Sequence, residues 1–480
     1  MENNVINIRA LMTNSSDLTI KYAKAAGVNI CIIFCEGMVS TSTMADLIFR
    51  PINRLSQNKE LDYEQTVRQL RDGLLLAGEQ KSAETYGDLA LMIMSGFVAL
   101  VIEGQKEAIM IGVQGYSARS VEEPSTHLNV RAARDSFVET IRTNVSLIRR
   151  RMKTTDLVFK MIKVGGLSQT DVCICYIKGR ADPKLVAQVE KRLSDIKLDA
   201  PLESGYLQPF LDERGDSIFS EVGATERPDS LTAKIYGGRI GILIDGSPFA
   251  LFVPQLFTEN FIAMDDYTGR PAYAALIRVF RYIAYFTSIM LAGFYVALAS
   301  FNPELFPDAL LLNLSASVQD TPYPLLTECL LIHIFFEMMR EAGLRIPSNI
   351  GHAVSIVGGL VIGEIVVSAG LVGAPLVLIV ALSAICSFVV PDLYESITVM
   401  RFCYIIVGGM WGLFGLTALT VVFLLKICSM NAYGIPATAP VSPFTFKSMR
   451  DVILRIGWRK MPKSDVTIQQ LNGVRINEKD

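Results

Sequence analysis

The sequence predicts a chain in two parts: an α/β soluble N-terminal half made of two similar subdomains, then an all-α transmembrane domain with about four spans plus re-entrant or interfacial helices. Three observations predict it. Charged residues are spread evenly up to about Arg281 and almost vanish from the long runs that follow. A strand-and-turn pattern in the charged half recurs at a fixed offset. Four of the later apolar runs approach the roughly 20 residues that a helix needs to cross a bilayer.

The averages agree with a division of this kind. Over 480 residues, 51% are hydrophobic and the mean hydropathy is +0.37. That is too apolar for a purely soluble protein and too polar for one embedded throughout. The net charge of −2 and pI near 6.1 argue against nucleic acid as a partner. The start, MENNVINIRALMTNSSDLTI, has neither a basic leading region nor an apolar run, so no signal peptide is expected. The expected units are residues 1–140 and 141–275 as cytosolic subdomains, 276–428 as a channel-like membrane domain and 429–480 as a cytosolic tail.

In the first half, NICIIFCEGMVS (Asn29–Ser40) has the pattern of DVCICYIKGRAD (Asp171–Asp182): an apolar strand, a charged residue and a glycine. GFVALVIEGQKEAIMIGV (Gly96–Val113) likewise matches GRIGILIDGSPFALFVPQ (Gly238–Gln255). Each of these is a hairpin turning at Glu-Gly or Asp-Gly. Gly37 and Gly179 stand 142 positions apart, and so do Gly104 and Gly246. Two matches at one offset predict duplicated subdomains.

Cys31/Cys35 and Cys173/Cys175 have even spacings, so each pair shares one strand face. Buried small side chains fit them better than a thiolate metal site, since no pair has metal-ligand spacing. The basic end of VRAARDSFVETIRTNVSLIRRRMK, at Arg149–Arg151, reads as a solvated helix end, with attraction to anionic lipid as the alternative. No phosphate-binding, zinc-protease or serine-hydrolase motif is present, and three histidines provide poorly for His-based catalysis. No cofactor is expected.

In the second half, the expected spans are Tyr282–Phe301, Gly351–Val372, Ala374–Val390 and Phe402–Leu425. Pro303–Pro324 is broken by prolines and reads as re-entrant or interfacial, with Pro322 and Pro324 as a hinge before the next segment. That segment, TECLLIHIFFEMMREAGLR (Thr327–Arg345), is oily yet carries Glu328, His333, Glu337, Arg340 and Glu341. On a helix, four of these five share an arc of about 100°, with Glu328 on the opposite face. Two readings stay open: an interfacial helix with a wet face, or a helix lining an aqueous pathway. On the second, Glu337 and His333 line an ion route, Glu364 contributes to it, and carboxylates favour cations. Gly359 and Gly363 form GxxxG and are expected to pack against another helix. Basic residues near the span ends place both termini in the cytosol, which requires an even number of crossings. Arg340, Arg345 and Arg401 fit that arrangement awkwardly.

PELFPDALLLNLSASVQDTPYPLLTECLL, REAGLRIPSNIGHAVSIVGGLVIGE and VSAGLV resemble the signature region of the spore germination receptor A-subunit family, the GerA family. CEGMV, GYLQPFLDE and ILIDGSPFALFVPQLF extend the resemblance over nearly the whole chain. It implies a non-enzymatic protein of the spore inner membrane, acting with a permease-like B subunit and a lipoprotein C subunit. It also implies a homo-oligomer in the lipid bilayer forming a channel for monovalent cations, with the nutrient pocket on the B subunit. Stage V sporulation protein AF is a related branch and the alternative identity. A secondary transporter is a further alternative, though the membrane half shows no internal repeat.

Overall fold

The computed structural model describes residues 1–57, 61–75, 79–115, 133–215, 217–319, 321–346 and 363–445, with scattered positions from 449 to 474. The N-terminal half holds two five-stranded sheets. The first comprises β1 (Leu18–Ala25), β2 (Val28–Cys35), β3 (Gln80–Ala83), β4 (Phe97–Ile102) and β5 (Ala108–Gly112), in the order β1-β2-β4-β5-β3. The second comprises β6 (Leu157–Val164), β7 (Thr170–Ile177), β8 (Gly223–Thr225), β9 (Ile240–Ile244) and β10 (Ala250–Val253), in the order β6-β7-β9-β10-β8. Strand for strand, the two orders are the same.

The turns repeat as well. Gly37, Gly96 and Gly104 adopt φ of 82°, 90° and 86°, and Gly179, Gly238 and Gly246 adopt 82°, 88° and 91°. A side chain at any of the six would strain the left-handed backbone, so the chain breaks its strands at matching points in both halves. The ladders are antiparallel at every described strand pair. The α/β reading is therefore corrected to helices packed on antiparallel sheets. The reason lies in the connections: β1–β2 and β4–β5, like β6–β7 and β9–β10, are joined by short hairpins, and a hairpin pairs its strands antiparallel.

β2 and β7 are central strands covered on both faces. Cys31, Ile33 and Cys35 face a core shared with α1 (Glu2–Leu11) and α4 (Tyr86–Ile93). Ile30, Ile32 and Phe34 face a second core with Ile52 of α2 (Arg50–Ser56) and Leu70 of α3 (Tyr63–Leu75). In β7, Cys173 and Cys175 pack toward α5 (Ile141–Arg151) and α7 (Pro228–Tyr236), while Val172 and Ile174 face α6 (Pro183–Ser194). All four cysteines are 0% exposed. Burial pushes the Cys31 thiol up to about 11 and raises the other three as well. These are packing thiols rather than nucleophiles.

The basic helix end is not simply solvated. Arg149 is fully buried and donates to both carboxylate oxygens of Asp17 at 2.8 and 2.9 Å, and to the carbonyls of Thr154 and Leu157. Because Asp17 precedes β1 and Arg149 ends α5, this cluster ties the two sheets together. Arg151 pairs with Asp135.

The C-terminal half is helical: α8 (Pro271–Phe301), α9 (Asp308–Gln319), α10 (Leu325–Arg345), α11 (Ala374–Ser387) and α12 (Tyr394–Ser429). Two helical stretches, Pro271–Phe301 and Pro391–Ser429, are long and apolar enough to cross a membrane, by length and composition. The expected four spans are not confirmed. Much of the one expected at Gly351–Val372 lies outside the described residues, and Ala374–Ser387 is short.

The expected span Phe402–Leu425 is corrected: it is not one straight helix. Gly412 adopts φ 60° and ψ −149° and turns α12 back on itself. The Tyr404 and Thr420 hydroxyls stand 3.0 Å apart; on a straight helix sixteen positions would separate them by about 24 Å. At the open end, Ser396 donates to the Ile218 carbonyl and Phe423 packs on Phe219. Each limb is roughly 25 Å long at 1.5 Å per residue. α8 runs beside the first limb in the same direction, with Ser288 near Arg401 and Phe301 over Gly412. α10 runs the opposite way, from Leu326 at Gly409 to Glu337 at Tyr394.

Both ends of the helical half meet the second sheet unit. The guanidinium of Arg278, at the base of α8, is buried between Asp266 and Asp451 at 2.8 and 3.0 Å. Tyr267 donates to Asp451 at 2.8 Å. Residues expected as a separate tail help build the second core: Ala432, Tyr433, Ile435, Ala439, Ile468 and Leu471 pack with β7, β9 and α6. Their apolar side chains find burial there that a free tail would not give them.

Candidate functional site: a charged cluster inside the helical bundle

An ionisable group in an apolar bundle is costly unless it is paired or wet. The structure gathers several where α10 crosses α12. Glu337 accepts from Arg340 Nε at 3.0 Å, and Tyr394 Oη lies 3.0 Å from each of its carboxylate oxygens. Arg401 Nη1 stands 3.6 Å from the same carboxylate. The Arg340 guanidinium lies over the Tyr394 ring at 4.0 Å, and the Phe388 ring stands nearly parallel to that ring, with centroids 6.0 Å apart. One carboxylate is thus shared by two guanidiniums and a phenol, drawn from the two helices α10 and α12.

Arg401 is the least compensated member. It is 0% exposed, and its Nε donates to the Ser288 carbonyl at 3.0 Å. Nη1 and Nη2 make no hydrogen bond among the described residues. The cluster therefore carries excess positive charge in a buried place.

His333 is also 0% exposed. Its Nδ1 lies 2.9 Å from the Cys329 carbonyl, its ring meets Phe402 edge-on, and Nε2 has no partner among the described residues. It does not meet Glu337, although the i,i+4 spacing would allow it. Glu328 is fully buried too, on the other face of α10. There the Gly373 amide donates to it over a long 3.5 Å, and its second oxygen is unpartnered among the described residues. The interior thus holds groups from both faces of α10, because α12 covers one and the start of α11 the other.

The remaining expected residues lie elsewhere. Glu341 pairs with Arg345 on an exposed surface. Glu364 is exposed within this chain. Pro324 caps the start of α10 in an extended conformation, after Pro322 in the preceding loop. A Cβ at Gly363 would meet nothing within 4 Å among the described residues, and Gly359, its partner in the expected packing, lies outside them. A close approach is made by Gly293 of α8 and Gly408 of α12. A Cβ on Gly293 would strike the Tyr404 backbone, and one on Gly408 would lie 2.5 Å from the Gly293 carbonyl oxygen. Sequence reasoning missed Tyr394 and the role of Arg401. The available signal was an arginine left without an aqueous place beside an apolar run. Among the described residues, no His, Cys, Asp and Glu group is placed to hold a metal ion.

The sequence profile described as Bacillus/Clostridium GerA spore germination protein matches residues 6–466. Spore germination protein KA of Bacillus subtilis (strain 168) is 33% identical over 477 residues, 98% of this chain and 87% of that one. Stage V sporulation protein AF of the same organism is 29% identical over 450 residues, 93% of this chain and 90% of that one. The crystal structure of the N-terminal domain of the A subunit of the Bacillus megaterium spore germinant receptor GerK3 aligns with a TM-score of 0.43 at 28% identity. That alignment covers 54% of this chain and 95% of that one. With a family profile matched from one sheet unit through the helical bundle to the returning tail, this chain belongs to the GerA family of spore germination proteins.

Proposed function

We propose that this protein is the A subunit of a nutrient germinant receptor in the spore inner membrane. In this reading several copies surround a route for monovalent cations, alongside a permease-like B subunit and a lipoprotein C subunit. Both sheet units and the returning C-terminal segment lie on the cytosolic side. One observation supports the channel above others: Glu337 is held by Arg340, Tyr394 and Arg401 inside an otherwise apolar bundle. In the closed state the two guanidiniums neutralise the one carboxylate that would attract a cation. The 3.6 Å contact to Arg401 is the longest of the three and the easiest to part. Its separation turns Glu337 toward the route, where a ring of carboxylates from neighbouring copies favours cations over anions.

The test is cation flux through the purified full-length protein in liposomes, comparing wild type with Glu337→Gln, which keeps the shape and removes the charge. The expected result is lower cation flux and weaker cation-over-anion selectivity. Unchanged rate and selectivity would remove Glu337 from the route, and flux coupled to a co-transported solute would instead make the protein a transporter. Deleting the gene distinguishes the receptor from the accessory role of an AF-type protein. Loss of response to one nutrient marks a receptor subunit, whereas a uniform slowing marks an amplifier.

A further inference from the structure

The stretch GYLQPFLDE ends at a cavity that the channel reading does not use. The cavity, about 60 Å³, lies where the second sheet unit meets the returning limb of α12. Asp212, Glu213 and Glu221 line it from one side, Lys426 and Ser429 from the other, and Arg214 at the rim. Asp212 is already satisfied: Ser220 Oγ and the Glu221 amide donate to it at 3.0 and 2.8 Å. Glu213 accepts from the Tyr433 amide at 3.2 Å. Glu221 differs. It is 7% exposed, and its Oε2 is buried with no hydrogen-bond partner among the described residues. An unpartnered buried carboxylate oxygen costs several kcal/mol unless something positive reaches it.

The lining points to the kind of partner. Asp212, Glu213 and Glu221 face Arg214 and Lys426, while Arg192, on the Leu211 carbonyl, acts on Asp212 and Glu221 from behind. No three ligands among the described residues converge as chelation of a multivalent metal requires. What is unmet is one carboxylate oxygen of Glu221, in a space of small-ion size. Burial, with Glu213 and Asp212 nearby, also holds the Glu221 carboxyl above its ordinary range, as a missing counter-ion would.

We propose that this cavity binds a monovalent cation of potassium or ammonium size, with Glu221 as its principal ligand and Lys426 as its competitor. Lys426 sits at the cytosolic end of the membrane hairpin, so occupancy sets whether that end is drawn toward the sheet unit or released from it. The site is separate from the Glu337 cluster.

The experiment measures thermal unfolding of the full-length protein in nanodiscs at constant ionic strength. Potassium chloride or ammonium chloride replaces choline chloride, whose cation is too large for the cavity. A saturable rise in Tm of about 2 °C or more is expected with the small cations. Glu221→Gln should abolish it. Lys426→Gln, which removes the competitor, should bring saturation at a severalfold lower concentration. A response in potassium or ammonium no different from choline overturns the proposal, as does a rise that survives in Glu221→Gln. Should Glu221→Gln fold poorly, Lys426→Gln decides alone: an unchanged saturation midpoint refutes the site.

Discussion

Replacing Gly293 with alanine tests how tightly the hairpin is seated on α8. A Cβ there would lie 2.6 Å from the Tyr404 carbonyl carbon and 3.1 Å from the Ile405 amide nitrogen, all of it backbone that no rotamer change can move. Ordinary contact begins near 3.4 Å and the Tyr404 carbonyl oxygen lies nearer still, so the two helices must part by about 1 Å. Overpacking of this kind costs about 1–3 kcal/mol. The same displacement stretches the 3.0 Å bond from Arg401 Nε to the Ser288 carbonyl beyond useful length, removing the hydrogen bond that this buried guanidinium makes among the described residues.

Gly408→Ala meets the same interface from the other side, 2.5 Å from the Gly293 carbonyl oxygen. One separation of the helices relieves both clashes. The double variant should therefore lose only about 2–3 kcal/mol, well short of the sum of the two singles. The assay is thermal unfolding of the full-length protein in nanodiscs, where each single variant should lower Tm by a few degrees. An unchanged Tm for Gly293→Ala would refute the packing argument. Strict additivity in the double variant would show instead that the two glycines act at separate contacts.

Two further outcomes follow from the N-terminal half. Asp17→Ala leaves Arg149 buried without its counter-charge and should destabilise that half by about 3–5 kcal/mol, read as a shift of the urea midpoint; Asp17→Asn with Arg149→Met should recover most of the loss. Burial holds the carboxyls of Asp212 and Glu221 above their ordinary values, so the folded state binds those protons more tightly than the unfolded chain. Their contribution is fully present below the unfolded value and is lost as pH rises through the folded one. Glu221→Gln should therefore gain stability relative to wild type at neutral pH, with the advantage shrinking as pH falls toward the ordinary glutamate range. A difference in Tm that is flat across pH would contradict this.

The duplicated sheets were legible because their signals are local. A turn that needs φ above zero admits glycine almost exclusively, and the six turn glycines keep their spacing whatever surrounds them. The hairpin in α12 was not legible, because apolar residues flank Gly412 on both sides and hydropathy does not register a change of direction. The cluster of Gly408, Gly409, Gly412 and Gly415 was the trace it left. The charged site was half legible. Periodicity on α10 singled out Glu337, but its partners Tyr394 and Arg401 come from another helix, and no spacing rule reaches across that distance. GxxxG at Gly359 and Gly363 lies largely outside the described residues, and the close approach seen among the described helices is made by Gly293 and Gly408. Close approach depends on which helix lies opposite, and here that is decided at Gly293.

The returning segment also imposes an order of assembly. Tyr433 places its ring under the Arg192 guanidinium and its hydroxyl on the Leu211 carbonyl, while Ile468 and Leu471 close the same core. These residues leave the ribosome only after every helix of the bundle has been made. Until then the second sheet unit waits with an oily flank open to solvent, and it is completed only when the chain comes back. A fragment that stops before α8 should therefore leave that flank uncovered and be prone to self-association.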